Sequence, residues 1–128
     1  MTPVIAAFAL IVAQDGTIAP DRGTYDELVG CAASTILYSA NERVRGRTEA
    51  AENAIVTFMG YRSLAFLYGA PLGLGEAEVK AAIDVEVDRK VAVHGPTLDS
   101  ATPELAEQVL VTDQAVCAAV LARVSAAD

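Results

Sequence analysis

From Thr48 to Gly69, apolar side chains return every three or four residues, at Ala51, Ile55, Phe58, Met59, Ala65 and Phe66, with Arg62 set among them. That spacing puts them along one side of an α-helix, whereas a strand would scatter them over both faces. Thr48 offers an N-cap, and Glu49 and Glu52 fall in the first turn, where the helix dipole favours acids. Gly69, with Pro71 close behind, stops the segment. A helix of this length with one apolar side must bury that side, so the rest of the chain has to supply partners.

The same reasoning applied along the chain yields further helices. Thr24 reads as an N-cap before Asp26 and Glu27, and Leu28, Cys31, Ala32, Thr35 and Ile36 then form a face that ends near Ala40 and Asn41. Residues 42–47 contain Gly46 and read as a connection. Thr102, Pro103 and Glu104 make a helix start, and Leu105, Val109, Val116, Val120 and Val124 carry the stripe towards the C-terminus. Two segments stay open. Residues 3–13 are a solid apolar run that suits a buried helix or a buried strand. After Glu76, the spacing of Val79, Ala82, Ile83, Glu86, Val87 and Lys90 favours a helix. Ile83, Val85, Val87, Val91 and Val93 alternate, however, which leaves a short β-hairpin over 84–94 open until Gly95 and Pro96 end the element. The expected fold is mostly all-α: a compact bundle of four to five helices, forming a single domain over 1–128.

Charge narrows the partners. Nine Lys and Arg against 17 Asp and Glu leave a net charge of −8, which repels nucleic acid and anionic membrane alike. The run at 3–13 stops at Gln14, short of a membrane span, and lacks the basic residues that open a secretory signal. The expectation is cytoplasmic synthesis with no membrane contact. The two cysteines, Cys31 and Cys117, lie inside apolar helical patterns and are expected as buried thiols, a single bridge between them being the alternative. With only His94 to join them they cannot assemble a zinc site within one chain.

Residues with chemical potential do not converge in the sequence. Gly73 and Gly75 precede a helix, yet no third glycine follows, and Glu76 and Glu78 would repel a phosphate. His94 has Asp84, Asp88 and Asp99 near it only in sequence. No serine sits in a G-x-S-x-G turn. Asp15 and Gly16 could open a calcium loop, but Thr17 and Ala19 stand where further oxygen ligands belong. The run ALIVAQDGTIAPD resembles the helix–DG–loop–helix opening of TerB-like tellurite-resistance domains over about a tenth of the chain. The acidic residues that such domains repeat in a second half are not seen, so no site is carried over. No catalytic, cofactor-binding or metal-binding residue is assigned.

Arg43, Arg45 and Arg47 form the one dense positive spot, facing one way if the segment is extended; they read first as a solvated loop balanced by Glu42, Glu49 and Glu52, with docking to an acidic partner surface or to a nucleic-acid backbone as the alternatives. Arg62, inside an apolar stripe, needs an ion pair or serves as an interface anchor. These four arginines are the candidate interaction residues. Several helices are apolar beyond a single stripe: Val56 and Leu64 lie outside that of 48–69, and Leu110, Cys117 and Leu121 lie beside that of the last helix. A small bundle has little room to bury so much, which points to contacts between subunits. The function expected is a non-enzymatic structural or interaction subunit of a homo-oligomer or larger assembly, binding copies of itself or other protein subunits. Small helical head-to-tail connector proteins of tailed phages are similar in length and helical layout, which would make the chain part of a virion. The alternatives are a small enzyme or ligand-binding domain with an inter-helix pocket using Arg62, His94 or a carboxylate pair, and a TerB-like metal- or stress-response domain.

Overall fold

The computed structural model describes residues 18–126. They form four packed helices: α1 (Arg22–Val44), α2 (Thr48–Gly69), α3 (Glu76–Leu98) and α4 (Glu104–Ala126), with a short 3-10 turn, Ala70–Leu72, between α2 and α3. No strand occurs among the described residues. The segment 3–13, the Asp15 turn and most of the TerB-like run lie outside them.

The central element is α1, which packs against α2 most extensively and also against α3 and α4. Every residue from 28 to 39 is buried or half-buried. The sequence permits this because residues 30–35 read Gly-Cys-Ala-Ala-Ser-Thr. Small side chains let neighbouring backbones approach from several directions, and the hydroxyls find partners across the interface or on a backbone carbonyl. Leu28, Leu64, Leu110 and Val79 fill the interior at 1% exposure or less. Each contributes roughly 1.5–3 kcal/mol by leaving water.

The helix ends follow from local chemistry. Asp21 is the N-cap of α1, accepting the Thr24 backbone N–H at 3.0 Å and the Thr24 hydroxyl at 2.7 Å. Thr24 is therefore the third residue of the helix, where the sequence suggested the cap. At its other end α1 continues past Asn41 to Val44, and the turn is confined to 45–47, where Gly46 supplies a φ of 80°. A second left-handed glycine, Gly73 at φ 81°, reverses the chain before α3. At the start of α3 the Gly75 N–H donates to the Glu78 carboxylate at 3.0 Å.

The hairpin left open over 84–94 is corrected: α3 is helical without interruption and runs through Gly95 and Pro96 to Leu98. Pro96 is tolerated because only the last residues of the helix follow it. The exposed ends are then tied by Asp99 N–H to the Gly95 carbonyl and Ser100 N–H to the Thr97 carbonyl. The alternating valines are accommodated by leaving Val85, Val91 and Val93 largely exposed, at 68%, 45% and 57%.

The rotation of α2 differs from its apolar stripe. The buried side is Ala51, Ala54, Tyr61, Leu64, Ala65 and Gly69, while Ile55, Phe58, Arg62 and Phe66 stand half-buried at the flank. Small residues make this side the one that α1 and α3 can approach. A Cβ on Gly69 would sit 2.9 Å from Val79 Cγ2 and 3.3 Å from Tyr25 Cε1. Gly69→Ala must therefore push α3 away from α2, and it is expected to cost about 1–3 kcal/mol despite alanine's better helix propensity. Urea denaturation reads this directly. A neutral or stabilised variant would contradict the close approach.

Candidate interaction surface

A covalent and polar seam joins α1 to α4. Cys31 and Cys117 are bonded as a disulfide, with their Cα atoms 5.6 Å apart. This corrects the expectation of two buried thiols. The sequence separation of 86 hid the pairing, and antiparallel packing of the first and last described helices creates it. Along the same seam, the Ser34 hydroxyl donates to Asp113 at 3.1 Å, Thr35 to Gln114 at 3.3 Å, and the Asn41 amide to Glu107 at 2.7 Å. Arg123 pairs with Glu27 at the far end, and Lys90 of α3 reaches Asp113 at 3.9 Å.

These contacts fix which side of α4 faces inward. Ala106, Leu110, Cys117, Val120, Leu121 and Val124 are buried. Leu105, Val109 and Val116, which the stripe placed in the core, are instead 69%, 41% and 57% exposed, and Val111 is 51% exposed. Charge is scarce on the outer side. Between Glu107 and Arg123 the only ionisable residue is Asp113, and it is engaged by Ser34 and Lys90. The outward side over 108–122 is thus an uncharged, largely apolar strip about 22 Å long. By length and composition α4 could cross a membrane, with a mean hydropathy of 1.5 in its most apolar window, and only 28% of that window is buried. Replacing both cysteines by serine is expected to cost about 2–5 kcal/mol, because the bond closes a long loop. Chemical denaturation measures the loss, and an unchanged midpoint would contradict a structural role for the bond.

The four candidate arginines part company in the structure. Arg45 donates through Nε to Glu107 at 3.0 Å and through Nη2 to the Leu98 carbonyl at 3.0 Å, so one guanidinium ties the ends of α1, α3 and α4. Arg47 donates to Glu42 at 2.7 Å and also reaches Glu107. Arg43 is exposed and forms no ion pair with a described residue. Arg62 lies on α2 with its guanidinium 5.7 Å from the Phe58 ring centre and 5.9 Å from that of Phe66, at i−4 and i+4. Its Nε is buried and has no hydrogen-bond partner among the described residues. The structure therefore does not bring the four together as one positive surface. The segment carrying Arg43, Arg45 and Arg47 is a helix end and a turn, so alternate residues do not share a side.

The hydrogen bond from Asn41, followed by Arg45 and Arg47, holds the Glu107 carboxyl below the usual glutamate range. A carboxylate so lowered contributes stability that is fully present above its unfolded pKa of about 4.3 and is lost as pH falls through the lower folded value. Glu107→Gln is expected to lower the melting temperature at pH 7 and to flatten the decline in acid below about pH 4.3. Parallel melting curves of both proteins over that range decide it: superimposable acid limbs would contradict the role of Glu107.

Other ionisable groups are dispersed. Glu86 pairs with Arg89 one turn along α3, and Asp84 and Asp88 are exposed on the same helix. His94 is half-exposed near the end of α3. A groove of about 410 Å³ runs between α1 and α2, lined by Ile36, Ala40, Val44 and Ile55 with Arg43 at its edge. A smaller one of about 190 Å³ runs beside the disulfide and holds Ser34, Lys90 and Asp113, already bonded to one another. Neither groove is lined by Arg62 or His94. Among the described residues no group of three His, Cys, Asp or Glu could hold a metal ion. No family model, curated protein or solved structure matches the chain.

Proposed function

We propose that the chain is a non-enzymatic structural subunit that works by associating with other protein subunits, copies of itself foremost, through the outer sides of α3 and α4. One observation carries this reading: Leu105, Val109, Val111 and Val116 stand 41–69% exposed on a helix side that offers water almost no charge, in a chain of net charge −8. Val85, Val91 and Val93 are further exposed apolar residues on α3. Supporting it from the other direction, Glu107, Asp113, Arg45, Arg47 and Lys90 are engaged in holding helices together. Assemblies of the phage-connector kind fall within the proposal.

The Cys31–Cys117 bond supports a working place outside a reducing cytosol, in contrast to the cytoplasmic site expected from the sequence. Sedimentation equilibrium of the purified oxidised chain tests the proposal. The expected result is a particle whose mass is a multiple of 13.3 kDa, or a stable complex with another subunit. A single-copy species at every concentration, with no subunit bound, would contradict it.

A further inference from the structure

Between α2 and α4 lies a furrow, floored by α1. Both helices run antiparallel to α1 and pack on it, yet they have no substantial packing with each other. α3 lies on the other edges of the bundle: its Lys90 reaches Asp113 of α4, and its Val79 meets Gly69 of α2. Helical spacing then turns Leu28 and Thr35 of α1, Tyr61 and Leu64 of α2, and Gln114 and Leu121 of α4 towards the furrow. Leu28, Leu64 and Leu121 belong to one apolar cluster and fall at one level of the bundle.

The furrow is closed to water, although three neighbours cannot enclose α1. A helix has room for about six neighbours of its own width, so three leave part of its circumference open. Even so, Leu28 and Thr35 are 0% exposed, Leu64 1% and Leu121 7%. On the same edge of α4, Gln114 Nε2 and Ser125 Oγ are buried with no hydrogen-bond partner among the described residues.

We propose that the apolar run at 3–13, outside the described residues, fills this furrow from the same chain, lying antiparallel to α1. Its length and point of attachment fit. α1 begins at Arg22, at the end of the furrow, and the eight residues 14–21, with Gly16 and Pro20 among them, suffice to turn the chain back. Eleven residues at a helical rise span about 16 Å, which is also the distance along α1 from Thr24 to Thr35. Its composition fits as well. No side chain before Asp15 is charged, whereas a charged segment would strand its charge against the three leucines. Val4, Phe8 and Ile11 recur at spacings of four and three, the alternation that Leu28, Cys31 and Thr35 show on α1 and that lets knobs enter holes. The short tether favours the chain's own run over that of a second copy, because it holds the run at a local concentration in the millimolar range. A run so placed belongs to the core and is not offered to a membrane or a partner.

Methyl NMR of the full chain tests the placement, and it reads alike whether or not the chain associates through α4. Nuclear Overhauser contacts are expected from the Ile5, Ile11 and Val12 methyls to those of Leu28, Leu64 and Leu121. Mixing labelled with unlabelled copies separates contacts within a chain from contacts between chains. Phe8→Asp is expected to lower the folded-to-unfolded ratio in urea roughly tenfold or more, and to open the Leu64 and Leu121 methyls to a dissolved paramagnetic probe. Absence of the contacts would overturn the proposal, and so would contacts found only between copies, which would make a neighbour's run the occupant. A Phe8→Asp chain with the wild-type urea midpoint and the wild-type shielding of Leu64 and Leu121 would overturn it too.

Discussion

What this molecule presents to its surroundings depends on the rotation of α4 about its own axis, and the Cys31–Cys117 bond sets that rotation. A helix apolar on two sides has two ways to dock on a bundle. Hydrophobic burial alone chooses weakly between a side of Leu110, Val120 and Val124 and a side of Leu105, Val109 and Val116. A covalent link at one point, with Ser34–Asp113 and Thr35–Gln114 hydrogen bonds on the adjacent turn, removes the choice. The docking consumes the few polar groups of the helix centre and leaves its outer side without charge.

The same economy operates at the opposite end of the seam. Glu107 gathers Asn41, Arg45 and Arg47, and Arg45 also satisfies the terminal carbonyl of α3 at Leu98. Helix ends that would otherwise leave carbonyls to water are joined through one guanidinium. Two of the three residues in the chain's densest positive spot are thereby spent on its own architecture. What remains on the outside is an acidic overall charge and an apolar strip along α4. Such a surface disfavours anionic partners and favours close contact with another apolar helix.

Much of the helical layout was legible in the sequence because helix boundaries are local. Thr48, Gly69, Glu76 and Glu104 all fall at helix ends, and the acids in the first turns suit the helix dipole without any tertiary contact. Thr48, however, is the first residue of α2 and not its cap, which is Arg47 with no side-chain hydrogen bond, and Gly69 keeps an ordinary helical φ of −75°. The rotations of α2 and α4 were not legible, because periodicity weighs bulky residues and close packing is decided by small ones. Ala51, Ala54, Ala65 and Gly69 turn inward because α1 can approach only there, while Phe58 and Phe66 move to the flank and hold Arg62 between them. The disulfide was hidden for a related reason: a pair 86 residues apart becomes adjacent only once the helices are antiparallel. The apolar surplus that pointed to association was legible, but its position was not, since it lies on the very residues that the stripe had placed in the core of α4.

The central claim is that the outer side of α4 is covered when the protein is at work. Methyl NMR with a dissolved paramagnetic probe examines that side residue by residue. As protein concentration rises, the signals of Val109, Val111 and Val116 should become protected from the probe, while Val44, 78% exposed at the far end of α1, stays broadened throughout. Broadening of all four valines to the same degree at every concentration would contradict the account.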